Sequence, residues 1–461
     1  MTTATLASSV ERDEGVRRAY SADASGLVMM PDGVARPTTA ADVAALLAEA
    51  SANGTPVTCA GGQTSTTGAS ISDKGIVLSL RAMDRVIELD PAARIVRAEP
   101  GVFVGELKRA CAAHGLLLAP DPTSEEECTV GGAVACNASG ARSLRYGATR
   151  SHVRALKVAL ADGSLVELRR PSLEKNTVGY ALAHDPVDWF VGSEGTLGVV
   201  VEVELGLLPL PEQVIGLAIP FATERDALSF VVAARESRQV HPRCLEFFDR
   251  RALAIAREAE STPGWAKDAD AFVYVEEVPP SSMAPALDEW LELAEQRGAL
   301  VDDVNVYEGE SSLREARRVR HAVPATMNER GSQRRPHGGR KVSTDWAVPY
   351  ARLGEMLGKA RAFADVAGIE QAVTYGHAGN GHPHQNFIAH DADELRRIEA
   401  VVEETLGEVI AMGGTVAAEH GIGKIKRRWL PMQMSPLQVR TMIAVKRELD
   451  PAGILAPGNV L

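Results

Sequence analysis

No apolar run in the chain approaches the ~20 residues that a membrane span needs, so no segment reads as a transmembrane helix. Met1 to Arg18 is polar and lacks the apolar stretch of a secretory signal, so a soluble, cytoplasmic protein is expected. Cysteine is scarce. Cys59, Cys111, Cys128, Cys136 and Cys244 are odd in number and contain no Cys-x-x-Cys pair, which opposes a disulfide framework and a structural zinc or iron–sulfur cluster. Basic charge is also in deficit: 49 Lys and Arg against 61 Asp and Glu leave −12, so no nucleic-acid partner is expected. The dinucleotide fingerprint Gly-x-Gly-x-x-Gly is missing, because Gly379/Gly381 and Gly421/Gly423 lack a third glycine, and there is no Walker A sequence. What is present suffices for a large core: 461 residues, 45% hydrophobic and 24% charged, predict two or three domains.

Periodicity places the first elements. Val43, Leu46, Leu47 and Ala50 at helical spacing predict a helix over Ala40–Ala52, with Thr38 or Thr39 as its cap and Gly54 closing it. Strands are expected at Pro56–Cys59, Ile76–Leu80, Val86–Leu89 and Ile95–Ala98, and a helix over Val104–His114. Val153–Leu168 reads as a hairpin with a type I′ turn at Asp162-Gly163. Beyond about Gln213, strands such as Ala271–Val278 alternate with helices such as Ala284–Gln296, a second-domain rhythm. A helical stripe runs over Leu395–Met412. Arg330–Arg340, rich in Gly and Arg, reads as an exposed loop.

Glycine concentrates at Ala60–Gly68, Gly131–Gly147 and Gly192–Gly198. Gly61-Gly62-Gln63-Thr64-Ser65 follows a strand, where small residues let successive N–H groups point into one anion site; a tight turn is the bland alternative. Read with Pro122-Thr123, Thr129-Val130-Gly131-Gly132, Asn137-Ala138-Ser139-Gly140, Tyr146-Gly147 and Gly192-Ser193-Glu194-Gly195, the order resembles the FAD-binding domain of the vanillyl-alcohol oxidase/p-cresol methylhydroxylase family. Asp450 to Gly458 matches that family's returning C-terminal segment. The resemblance implies an α+β, two-domain FAD-binding fold of the vanillyl-alcohol oxidase type with an α+β cap domain. Its ranges would be 4–210 for the FAD domain, 211–425 for the cap and 426–461 for the return. It places FAD contacts at Gly61, Gly62, Gln63, Thr64, Ser65, Gly68, Pro122, Thr129, Gly132, Asn137, Ser139, Tyr146, Glu194, Gly195 and Asn459. Ala60 and Gln63 stand where the family keeps glycines, and Thr64 stands where some members link flavin through histidine, so FAD is expected to be non-covalent.

Tyr375 to Asn386 packs His377, His382 and His384 into eight positions, and Ala418-Glu419-His420-Gly421 adds a carboxylate and a fourth imidazole. The glycines and Pro383 exclude a helix there, and on one straight strand His377 and His384 would face opposite ways, so the chain must turn between them. Two imidazoles and a carboxylate with an open position suit zinc, manganese or iron; structural hydrogen bonding is the alternative. The segment resembles the metal-dependent D-2-hydroxyacid dehydrogenase branch, with Asn380 and His382 replacing its Asp and Asn. That likeness implies a divalent metal, zinc or manganese, on His377, His384 and Glu419. It also implies His420 as base and Arg320, Asn386 and Lys341 as further catalytic residues. The implied reaction oxidises a small D-2-hydroxy acid to the 2-oxo acid by hydride transfer to flavin N5, the metal stabilising the alkoxide. The electron acceptor is open, and a homodimer is an admitted assembly. A metal-independent oxidase of an aromatic or sugar alcohol, or a flavin-carrying subunit of a larger redox complex, are the competing readings.

Overall fold

The computed structural model describes residues 9–259, 264–279 and 283–461, so the expected polar N-terminus and FAD-domain start at residue 4 fall partly outside the described residues. The chain forms two compact units: one runs to Gly140 and adds Tyr146–Leu210 and Glu419–Leu461, the other comprises Ala141–Arg145 and Pro211–Ala418. Ile425 and the six residues before it thus group with the first unit, although the sequence ranges placed them in the cap.

The first unit opens with α1 (Ala40–Asn53), where Thr39 and Asp42 form a capping box and Gly54 closes the helix in the left-handed region at φ 64°. It leads into β1 (Val57–Ala60), which pairs in parallel with Ile76–Ser79 in a four-stranded sheet. The tail returns to this strand: Val57 N–H donates to the Ile454 carbonyl, and Ala456 N–H donates to that of Val57. A second, five-stranded antiparallel sheet contains Val153–Ala159 and Leu165–Arg169. Their connection is not type I′, since Gly163 alone of the Asp162-Gly163 pair takes positive φ. The loop spans five residues, and the Asp162 carboxylate holds its own turn by accepting from Ser164 N–H and Oγ–H. Val130–Cys136, expected as glycine-rich loop, is helix α2, nucleated by Thr129 Oγ1 accepting the Gly132 N–H.

The second unit is built on seven strands. In chain order its elements are β2 (Ile215–Phe221), β3 (Pro242–Phe248), α3 (Arg250–Ala259), β4 (Ala271–Glu277), β5 (Asn305–Glu308), α4 (Gly309–Ser332), β6 (Gly338–Ser343), β7 (Val373–His377) and β8 (His382–Asp391). The antiparallel sheet order is β5-β2-β4-β3-β7-β8-β6. Arg330–Arg340 is therefore no loop: it is the end of α4, a short 3-10 turn and the start of β6, an edge strand fixed by pairing with β8. Residues on β2, β3 and β4 are almost all buried, because helices cover both faces. On one face Phe221, Phe230 and Trp290 pack together. On the other, α3 and α4 cover Phe248 and Phe272, whose rings stack at 4.2 Å, worth about 0.5–1.5 kcal/mol beyond area burial.

Asp249 joins β3 to α3. Its carboxylate accepts the N–H of Ala252 at 2.8 Å and of Thr374 at 2.9 Å, yet burial outweighs both bonds and raises its pKa from 3.8 to about 6. The folded state thus holds this proton more tightly than the unfolded chain does. The stability it contributes is complete below pH 4 and is lost as pH rises towards 6, by about 3 kcal/mol. Asp249→Asn should flatten that part of the profile in urea unfolding at pH 4.5 and 7; an unchanged slope would exclude Asp249 as its source.

Candidate active site

The histidine segment shows how an odd spacing comes to share one face. β7 ends at His377, a 3-10 turn over Ala378–Asn380 and Gly381 reverses the chain, and β8 begins at His382. Gly381 sits at φ 68°, where a Cβ would lie 1.9 Å from the Val348 carbonyl oxygen, so only glycine makes this turn. The register sets His377 opposite His382 and Tyr375 opposite His384, which puts all three imidazoles on the α3/α4 side of the sheet. Their ring centroids lie 5.4 Å (377–382), 5.2 Å (377–384) and 4.6 Å (382–384) apart. Each ring offers a nitrogen within 4.8 Å of the others, at 2%, 2% and 8% exposure.

Glu246 on β3 organises this cluster. It is 0% exposed, its Oε1 lies 2.6 Å from His377 Nδ1, and its Oε2 accepts from Arg320 Nε at 2.6 Å. Burial alone would raise this carboxyl, but the Arg320 charge and His377 overcome it and bring the pKa to about 2. An ionised carboxylate can only accept, so His377 carries a proton on Nδ1, and Nε2, which Arg320 Nη2 approaches within 3.5 Å, is the nitrogen on which the neutral ring keeps its lone pair. His382 Nε2 stands 3.2 Å from Asp345 Oδ1, so it is positioned within the protein rather than idle at the surface. Asn386 is 1% exposed, with its amide beside the Tyr375 hydroxyl. Lys341 is placed differently. Its ammonium donates to Asn328, and it pairs with Ile388, four residues along β8 from His384 or roughly 13 Å at strand rise.

On the same face, Glu276 is 1% exposed between Arg142, Arg243 and Arg317, with Tyr274 Oη–H donating at 2.9 Å. The guanidiniums hold its carboxyl well below the ordinary range despite burial. In sequence Glu246 lies in Cys244–Asp249, which resembles a cap-domain segment of the family but reads equally as a packed strand and turn, whereas Glu276 stands in no such motif. The signal they share is a carboxylate at inward-facing positions of largely apolar strands, beside Phe248 and Tyr274.

In the first unit the glycine-rich blocks converge. A Cβ on Gly61 would lie 2.3 Å from Thr129 Oγ1, and one on Gly62 would lie 1.9 Å from the Glu127 carbonyl oxygen, so this loop lies flat against the start of α2. Ser65 Oγ accepts from Ala69 N–H at 3.1 Å, and Gln63 spends its amide on the carbonyls of Ala19 and Ala22. Asn137 ends α2 at φ 49° and accepts from Arg150 N–H. Ser139 Oγ donates to Glu419 at 3.1 Å. The Tyr146 carbonyl meets His152 Nε2, while Pro122 gives its carbonyl to Glu125 N–H. Glu194 accepts the N–H groups of Ile422 and Gly423 at 2.6 and 2.8 Å, clamping the turn behind His420, whose carbonyl accepts from Thr67 Oγ1. Gly195 lies near Cys59. Lys424, unremarked in the sequence, donates to the Gly68 carbonyl and to Asn459 Oδ1, while Asn459 Nδ2 donates to the Ala69 carbonyl at 2.8 Å. Burial lowers the Lys424 pKa to about 8.

Residues 31–169 match the FAD binding domain family, and residues 210–460 match the C-terminal domain of FAD linked oxidases. The chain belongs to the FAD-linked oxidases. D-lactate dehydrogenase of Archaeoglobus fulgidus is 31% identical over 93% of this chain and 91% of that protein. Glycolate oxidase subunit GlcD of Bacillus subtilis is 30% identical over 96% and 92%. D-2-hydroxyglutarate dehydrogenase of Xanthomonas citri is 29% identical over 93% and 89%. The solved structure of alkyldihydroxyacetonephosphate synthase superposes with a TM-score of 0.74 at 17% identity, over 97% of this chain and 83% of that one, which shows a shared fold. This FAD-linked oxidase is thus a flavoprotein enzyme, and among its described residues no helix is long and apolar enough to cross a membrane.

The flat loop at Gly61-Gly62, the capped start of α2 and the hydroxyls of Thr64 and Ser65 suit an FAD pyrophosphate. Thr64 offers no imidazole for a covalent link, so acid precipitation should leave the yellow colour in the supernatant; a coloured pellet would contradict it. Gly62→Ala drives a methyl into backbone, at a cost of about 1–3 kcal/mol or more. Purified Gly62→Ala should lose most of its flavin, read as absorbance at 450 nm relative to 280 nm.

Proposed function

We propose that this FAD-linked oxidase oxidises a D-2-hydroxy acid to the 2-oxo acid. His377, His384 and Glu419 would hold a divalent cation, zinc or manganese, and His420 would act as base. One observation carries the reading: Glu246 joins His377 to Arg320, so a single buried carboxylate fixes a metal-ready imidazole and, next to it, a guanidinium able to receive a carboxylate. The three imidazoles within 4.8 Å are a donor set that a borderline divalent ion fits.

Bound FAD supplies the two-electron acceptor of the oxidation, and the cation supplies a Lewis acid for the substrate hydroxyl. The side chains do the rest. Arg320, held at Nε by Glu246, orients the substrate carboxylate. His420 accepts the hydroxyl proton, its backbone held by Thr67 on one side and by the Glu194 clamp on the other. Ser139 orients the Glu419 carboxylate. Asn386, buried two residues along β8 from His384, offers amide atoms to the ligand. The relatives named for D-lactate, glycolate and D-2-hydroxyglutarate agree with this substrate class.

His420→Ala should retain flavin and metal but slow anaerobic flavin reduction by about 10²–10⁴-fold; unchanged reduction would discard the base assignment. Glu246→Gln should weaken metal affinity by about 10–100-fold, measured as metal content after dialysis. EDTA should abolish turnover, and full activity after metal removal would favour the metal-independent alternative.

A further inference from the structure

Beneath α3 and α4, on the sheet face that carries Glu246, lies a cavity of about 440 Å³ within the second unit. Aromatic residues make up only 5% of the chain, yet Phe248, Trp265, Phe272, Tyr274 and Tyr307 all line this space. Arg320 forms part of the same wall, and it is the residue bonded to Glu246 and adjacent to His377. The cavity therefore begins at the carboxylate anchor and continues between aromatic rings.

Of the other charged groups in the lining, neither offers an anchor for a second anion. Arg257 also lines the space, but its guanidinium donates to the carbonyls of Trp265, Ala266 and Ala269. Glu315, at the exposed margin, carries the wrong sign for a second carboxylate. A volume of this size falls in the range of about 300–1,000 Å³ found for sites that enclose whole organic ligands, so the methyl of lactate would leave most of it wet.

We propose that this cavity receives the substrate side chain, and that the acid oxidised carries an aryl or comparably bulky apolar group beyond its hydroxyl-bearing carbon. The assignment rests on Arg320 binding the carboxylate, as in the proposed function. It makes Trp265, Phe272, Tyr274 and Tyr307 specificity-determining residues.

The test uses the FAD-loaded enzyme under anaerobic conditions, with D-3-phenyllactate and D-lactate as probes. The second-order rate constant for flavin reduction should be about tenfold or more greater with D-3-phenyllactate. Ala316→Phe, which fills the cavity from α4, should bring the ratio of the two constants towards one. Ala256→Phe fills it from α3 should the first variant not fold. Equal or faster reduction by D-lactate, or a ratio unmoved in a folded filled variant, overturns the cavity assignment and leaves the D-2-hydroxy acid reading intact. If no D-2-hydroxy acid reduces the flavin, that reading fails, and the cavity is then judged by phenylacetate quenching of tryptophan fluorescence. Saturable quenching that disappears in Trp265→Phe supports an aryl-acid pocket, and absence of quenching overturns it.

Discussion

The second unit is organised around one buried carboxylate. Glu246 has no access to water, so its charge is tolerable only while Arg320 and His377 both answer it. Removing one partner of such a buried arrangement costs about 3–5 kcal/mol, because the survivor is left uncompensated. The same constraint settles a chemical question. With Nδ1 committed to Glu246, the neutral form of His377 can hold its lone pair only on Nε2, so its tautomer is set by the sheet rather than by solvent.

Glu276 repeats the principle on the same face, two strand positions from where Tyr274 faces Glu246 across the β3–β4 pair. Arg142, Arg243, Arg317 and Arg320 answer two carboxylates, leaving this face rich in positive charge. A negatively charged acid would enter a field already favourable to it, and its desolvation would be offset in part before any specific bond forms.

Much of the fold was legible because local signals and tertiary structure agreed. The Thr39 cap, the left-handed Gly54 and the apolar stripe between them define α1 without reference to anything else. The glycine-rich blocks were recognisable as a set, yet their separate duties were not. Glu194, Gln63 and Asn459 carry hydrogen bonds between segments tens to hundreds of residues apart, which no local pattern encodes. Arg330–Arg340 misled for a related reason: its polarity matched a loop, but an edge strand needs only one neighbour and tolerates solvent on its other side. The Cys244–Asp249 segment stood out by resemblance, but the duty of Glu246 within it was not legible, because a charged residue in an apolar strand declares its role only once Arg320, on a distant helix, is known to reach it.

The hairpin between β7 and β8 carries a consequence for how this segment can vary through evolution. Side chains alternate across a sheet with a period of two, and His382 and His384 reach the cluster only because the turn fixes their parity relative to His377. Loss or gain of one residue within Ala378–Gly381 would shift β8 by a single step and swing both imidazoles to the far side of the sheet. Length changes compatible with the cluster would therefore arrive in pairs, and the identity of the turn residues should drift more freely than their number, Gly381 excepted.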